Sequence, residues 1–251
     1  MVSQMKRLIP LLLIAQVAHA QPPAGAILLN RMHNAYSGKW YHTLTFVQRT
    51  IITRDGKTDT TTWYESLSGP ARLRIDQGDP SLGNGVLYTA DSATRVRTGT
   101  PAPARAGGNV FLPLIMGVYL QPLAETERQL LLFKFDFDKS FTTTWDGHPV
   151  TVIGASAASD SVSPQFWVDT DRLVLLRMRG SIIGPGSDVR LGGYEKVGDG
   201  WLATRVTMTT PTLKQVEEYS DWSANIDLPE SLFDVKQWMT APHWASGRKK
   251  E

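Results

Sequence analysis

Hydrophobic and polar residues alternate along most of this chain with the two-residue period of a β-strand, and helical periodicity is confined to two regions. Residues 24–37 place Ile27, Leu28, Arg31, Met32 and Tyr36 close to a 3.6-residue period, with Gly38 as a stop, and predict a first helix. From Trp40 the pattern changes: Trp40, His42, Leu44, Phe46 and Gln48 alternate with Tyr41, Thr43, Thr45, Val47 and Arg49. Asp55-Gly56 then marks a tight hairpin before a second arm over residues 60–67. In residues 71–76, Leu73 and Ile75 oppose Arg72 and Arg74, and a shorter hairpin turns around Asp91-Ser92.

The strand pattern breaks over residues 107–133, where an apolar run (110–120) interrupted by Pro113 and Gly117 precedes the helix-favouring residues 123–132. These predict a second and a third helix. The Pro/Ala/Gly stretch 98–108 before them reads as a loop. The meander resumes at Phe141 and runs to Ile226, with turns at Asp146-Gly147 and Asp199-Gly200 and a looser loop at Gly184-Pro185-Gly186. The expected fold is mainly β (α+β), a single antiparallel sheet of about ten or eleven strands with about three helices. So many arms in one sheet expose an apolar face and long edges unless the sheet curls, so an incomplete barrel is expected, its concave face covered or plugged by helices.

The N-terminus adds a targeting signal. Lys6 and Arg7 precede an apolar stretch from Leu8 to Val17, and Ala18-His19-Ala20 forms a small-x-small ending, so residues 1–20 read as a secretory signal peptide cleaved before Gln21. The expected division is residues 1–20 signal peptide, 21–235 one β domain and 236–251 a C-terminal tail. Cysteine is absent, which excludes a disulfide framework, a thiolate metal site, a Cys nucleophile and a lipid-modified Cys. Of the 26 basic residues two leave with the signal, so 24 face 24 acidic ones. Near-zero net charge gives no footprint for nucleic acid, and Arg248-Lys249-Lys250 reads as a solvated end.

No pattern for covalent chemistry stands out. There is no G-x-S-x-G or H-E-x-x-H, and His33, His42, His148 and His243 form no cluster in sequence. His148 and His243 read as exposed turn or terminal residues. Asp136 and Asp138, placed on a strand, would share one solvated face, and Asp169 and Asp171 read as turn formers. No catalytic residue, metal ligand or cofactor is expected. The alternation does give candidate cavity walls: Trp40, Leu44 and Phe46 share a face, as do Trp63 and Leu67, Leu73 and Ile75, and Phe166 and Val168.

Three phrases, QFWVDTDRLVLLRMRG from Gln165, GGYEKVGDGWLATRVTM from Gly192 and VEEYSDWSANIDLPESLFDV from Val216, together with the order of elements, resemble the LolA/LolB superfamily of exported proteins. The likeness is greatest to its outer-membrane lipoprotein-sorting branch. The resemblance implies an incomplete β-barrel whose apolar cavity accepts acyl chains under a helical lid, for which Phe111, Leu112, Leu114, Ile115, Met116 and Tyr119 are the candidates. It implies a soluble periplasmic carrier of a lipid or lipidated protein, working with a membrane-bound donor or acceptor protein and without covalent catalysis. Two alternatives on the same scaffold are a periplasmic sensor or binding module for lipoproteins and a cofactor-free enzyme.

Overall fold

The computed structural model describes residues 21–246. The expected signal peptide and the basic end at Arg248-Lys249-Lys250 lie outside the described residues. The chain opens with α1 (Ala24–Tyr36), followed by β1 (Thr43–Arg54), β2 (Lys57–Ser68), β3 (Arg72–Gln77), β4 (Gly85–Tyr88), β5 (Ser92–Arg97), β6 (Thr100–Pro101) and β7 (Arg105–Ala106). A π-helical turn (Pro113–Gly117) leads into α2 (Val118–Leu120) and α3 (Leu123–Leu132). The second half comprises β8 (Ser140–Trp145), β9 (His148–Ile153), β10 (Gln165–Asp169), β11 (Leu175–Gly180), β12 (Ser187–Val197), β13 (Gly200–Thr210) and β14 (Leu213–Ala224).

All strands belong to one antiparallel sheet in the order β6-β5-β4-β3-β2-β1-β14-β13-β12-β11-β10-β9-β8, with β7 also on β5. The sheet is not closed, because β6 and β8 end it without pairing to each other. Its count is 14, above the ten or eleven expected. The excess comes chiefly from β6 and β7, two-residue strands in the stretch expected to be loop. They add to β5 at the sheet edge, where Pro101 costs no ladder bond.

Local chemistry explains the turns. Asp55 and Gly56 both take positive φ (51° and 73°), as do Asp146 and Gly147 (50° and 78°), the conformation that twists a two-residue hairpin to match its strands. The β12–β13 turn is formed by Gly198 and Asp199, and Gly200 already opens β13. In α1 the buried face is Gly25, Leu28, Leu29 and Met32, whereas Ile27, expected on that face, is exposed. Trp40 precedes β1 instead of starting it: it stacks on Tyr119 (ring centroids 3.8 Å apart), and Tyr36 meets both rings edge-on. This aromatic cluster ties the end of α1 to α2.

The main core lies between the sheet and the helices, and a second, smaller one lies behind the sheet. It forms because residues 225–246 pack against the back of β3–β5, where Leu87 and Val96 meet Leu232, Phe233 and Trp238. Gly85 permits this approach, since a Cβ there would stand 2.0 Å from the Ile75 carbonyl oxygen and 2.7 Å from the Trp238 ring. Arg74 and Asp76, both fully buried, form a two-armed ion pair (2.7 and 2.8 Å). The Arg74 guanidinium also donates to the carbonyls of Leu232 and Trp238 and lies 3.8 Å over the Trp238 ring.

His243 departs from the expected exposed terminal residue. Its side chain is 7% exposed, and its Nε2 lies 3.0 Å from Asp76 Oδ2. The Ala245 N–H points at Nδ1, which assigns the ring proton to Nε2 and makes it the donor to Asp76. The segment expected as a tail is thus a strap fastened to β3.

Truncating one partner of a buried pair leaves the other charge uncompensated. Asp76→Ala is expected to lower unfolding free energy by about 3–5 kcal/mol, measured by urea titration of tryptophan fluorescence.

Candidate functional site

A cavity of about 460 Å³ opens on the concave side of the sheet, within the range of roughly 300–1,000 Å³ typical of small-molecule sites. Its walls come from both halves of the chain. β1 to β4 supply Leu44, Phe46, Trp63, Leu67, Leu73, Ile75 and Val86, while β12 and β13 supply Leu191, Val206 and Met208. The segment around the π-helical turn closes one side.

Seven of the nine candidate wall residues, Trp40, Leu44, Phe46, Trp63, Leu67, Leu73 and Ile75, border this cavity. Phe166 and Val168 do not. Both are wholly buried, and Phe166 packs edge-to-face on Phe135 (5.1 Å) in the connection after α3. Protein fills the space in front of β10, and its opposite face is buried too, by Trp167 against Phe141, Trp145 and Arg177. Of the candidate lid residues, Phe111, Leu114, Ile115 and Tyr119 face the cavity, whereas Leu112 and Met116 are buried away from it.

Pattern reading missed the cavity's polar residues. Trp63, Glu65 and Leu67 are two apart on β2, so the face assigned to Trp63 and Leu67 carries Glu65 as well. Gln215, Glu217 and Tyr219 likewise share one face of β14, and all three border the cavity. Glu217 is well held: one oxygen accepts from Gln215 Nε2 and the other from the Tyr219 hydroxyl, both at 2.7 Å. Glu65 is 6% exposed, and among the described residues its carboxyl has no hydrogen-bond partner. Gln48 lies on β1 between them, opposite Trp63 on one side and Tyr219 on the other. Its Nε2 donates to Thr50 Oγ1 (2.8 Å), and its buried Oε1 has no partner among the described residues.

Burial holds the Glu65 carboxyl well above the ordinary carboxylate range, and the neighbouring Glu217 raises it further. Glu217 is also raised by burial, against the pull of the donors from Tyr219, Gln215 and Gln48. The Tyr219 hydroxyl is driven up by burial and by both carboxyls.

The other acidic candidates stay outside the cavity. Asp136 sits in a turn, not on a strand, accepting from the Asp138 N–H and pairing with Lys139 (3.1 Å). Asp169 accepts the backbone N–H groups of Asp171 and Arg172 (2.9 Å each), the turn role expected of it. Among the described residues, no three His, Asp or Glu side chains gather as a metal site, and no helix is long and apolar enough to cross a membrane.

An open, curled antiparallel sheet holding helices and an apolar cavity in its concavity defines the class of half-barrel cavity proteins. Solved structures share the fold of this chain. A DUF1329 family protein from Desulfovibrio piger superposes with a TM-score of 0.56, covering 85% of this chain and 98% of the other at 15% identity. A LolA superfamily protein from Nitrosomonas europaea does so with a TM-score of 0.52, over 85% and 98% at 12% identity. The fold is LolA-like. No protein-family model and no curated protein matches the sequence.

Because Glu65 and Glu217 both hold protons more tightly folded than unfolded, their contribution to stability is complete below the unfolded carboxylate value and is lost as pH rises through the folded one. Glu65→Gln removes one of the two titrations. Its melting temperature is expected to fall less steeply than wild type as pH rises above the ordinary carboxylate range in a calorimetric series.

Proposed function

We propose that this protein is an exported, periplasmic carrier that encloses the acyl chain of a lipid or lipidated protein in the half-barrel, without covalent catalysis. The observation that carries the reading is the cavity itself: about 460 Å³, walled by Leu44, Phe46, Leu67, Leu73, Ile75, Val86 and Val206, and opening to solvent. A well-packed interior leaves few voids larger than a water molecule, so a cavity of this size within the apolar core is an architectural feature, not a packing fault. The LolA-like fold supports the reading.

Each buried methylene favours the cavity by about 0.8 kcal/mol, so a chain of about a dozen carbons gains several kcal/mol after its ordering cost. Release then requires a membrane-bound donor or acceptor protein, or a membrane, that offers the chain an equally dry site. Phe111, Leu114, Ile115 and Tyr119 are the residues through which a lid at this position would act. Leu44, Phe46, Trp63, Leu67, Leu73 and Ile75 form the binding wall, with Trp40 at its helical end.

Native mass spectrometry and solvent extraction of protein purified from the periplasm are expected to recover a bound lipid; repeated recovery without cargo would sink the reading. In a second measurement, Met208→Trp, which places an indole in the cavity, is expected to weaken binding of an apolar fluorescent probe at least about tenfold with an unchanged circular dichroism spectrum. Equal probe affinity in both proteins would count against this cavity as the site.

A further inference from the structure

We propose that the preferred ligand is a cationic amphiphile, an apolar chain bearing a protonated amine that seats against Glu65. The proposal rests on the carrier reading and specifies the chemistry of its cargo. At the junction of β2, β1 and β14 the two oxygens of Glu65, which borders the cavity, have no donor among the described residues; Oε1 of Gln48, buried beside the cavity and not on its lining, has none either. Glu65 lies opposite Phe46 and Gln48 opposite Trp63, so the two are diagonal neighbours on one face, within reach of long side chains. An ammonium group offers donors and no acceptor, which is the complement of the Glu65 carboxylate.

Charge points the same way. Glu217, diagonal to Gln48 on the other side, already has a donor on each oxygen, so of the two carboxyls it is the better able to hold a charge. Two carboxylates in one apolar cavity do not both ionise without a counter-charge, and a proton on Glu65, whose carboxyl burial raises, fills that role when no cation is bound. A bound ammonium replaces it, and the proton leaves to solvent.

The remaining ionisable groups do not supply that counter-charge. Tyr88 on β4, Tyr194 on β12 and Tyr219 on β14 are phenols, each raised by burial. Arg95 on β5 borders the cavity but is exposed to solvent, and its charge acts on Tyr88. From the helical side Asn109, Val110, Phe111, Leu114, Ile115, Tyr119 and Phe133 approach, none of them a cation. A fatty carboxylate or a phosphate seated here would face the glutamates as a like charge, and an alcohol offers a single donor.

The test uses decylamine, decanol and decanoate, each below its micellar concentration, to displace an apolar fluorescent probe from the full mature chain at neutral pH. The amine is expected to compete at a concentration at least about tenfold lower than the alcohol, with decanoate weakest. Glu65→Gln is expected to abolish the preference for amine over alcohol, with an unchanged circular dichroism spectrum reporting that the variant is folded. Calorimetry of amine binding to wild type in two buffers of different ionisation enthalpy is expected to show proton release, and this arm needs no variant. If all three ligands compete alike, or if decanoate equals the amine, the proposal is overturned while the carrier reading stands. If none competes, both fall.

Discussion

The pairing of β1 with β14 holds the molecule together. It joins two meanders, β1 to β7 and β8 to β14, into one sheet, with register from Leu44 opposite Ala224 to Thr53 opposite Lys214. The Arg49–Glu218 ion pair across this seam links residues 169 positions apart. Loop-closure entropy must be overcome before such a contact stabilises anything, which places this topology among the slow-folding β architectures. The cavity depends on the seam, since Leu44, Phe46 and Leu73 lie on one side of it and Val206 and Met208 on the other.

The concave face is not used uniformly. In front of β9 and β10 the helices and the Phe135 connection fill the space, and residues such as Phe166 and Val168 become ordinary core. In front of β1 to β4 the same curved surface is left open. One curvature thus yields a packed half and a hollow half, and the position of the helical insertion decides which is which. The polar cluster of Glu65, Gln48 and Glu217 sits in the hollow half, across the seam.

Much of this was legible in the residues. Period-two alternation found β1, β2 and β3 and put six of the nine proposed wall residues on the face that the cavity uses, while Trp40 reaches the cavity from before β1. It misplaced Phe166 and Val168 because alternation reports faces of a strand, not what stands in front of them, and β10 is buried on both. It passed over Glu65 because a polar residue within an alternating run is ordinarily assigned to solvent, although its spacing from Trp63 and Leu67 already put it on the apolar face. The two-residue strands β6 and β7 carry no pattern of their own and exist only because β5 offers them an edge. The strap was read as a loose end because nothing local in residues 236–246 announces a partner; Trp238 and His243 acquire theirs from Arg74 and Asp76, some 160 residues earlier.

The strap gives the hollow half unequal walls. Behind Leu73 and Ile75, the Arg74–Asp76–His243 network and the Trp238 ring brace the sheet from its outer side. Behind Val206 and Met208 no element stands among the described residues: Arg190 and Arg205 pair there with Asp188 and Glu218, each with about half its side chain exposed (54%). A guest too large for the resting volume meets a braced wall on one side and an unsupported one on the other. Dilation of the cavity therefore falls to β12, β13 and the 111–119 segment, so the two faces of the site differ in compliance as well as in composition.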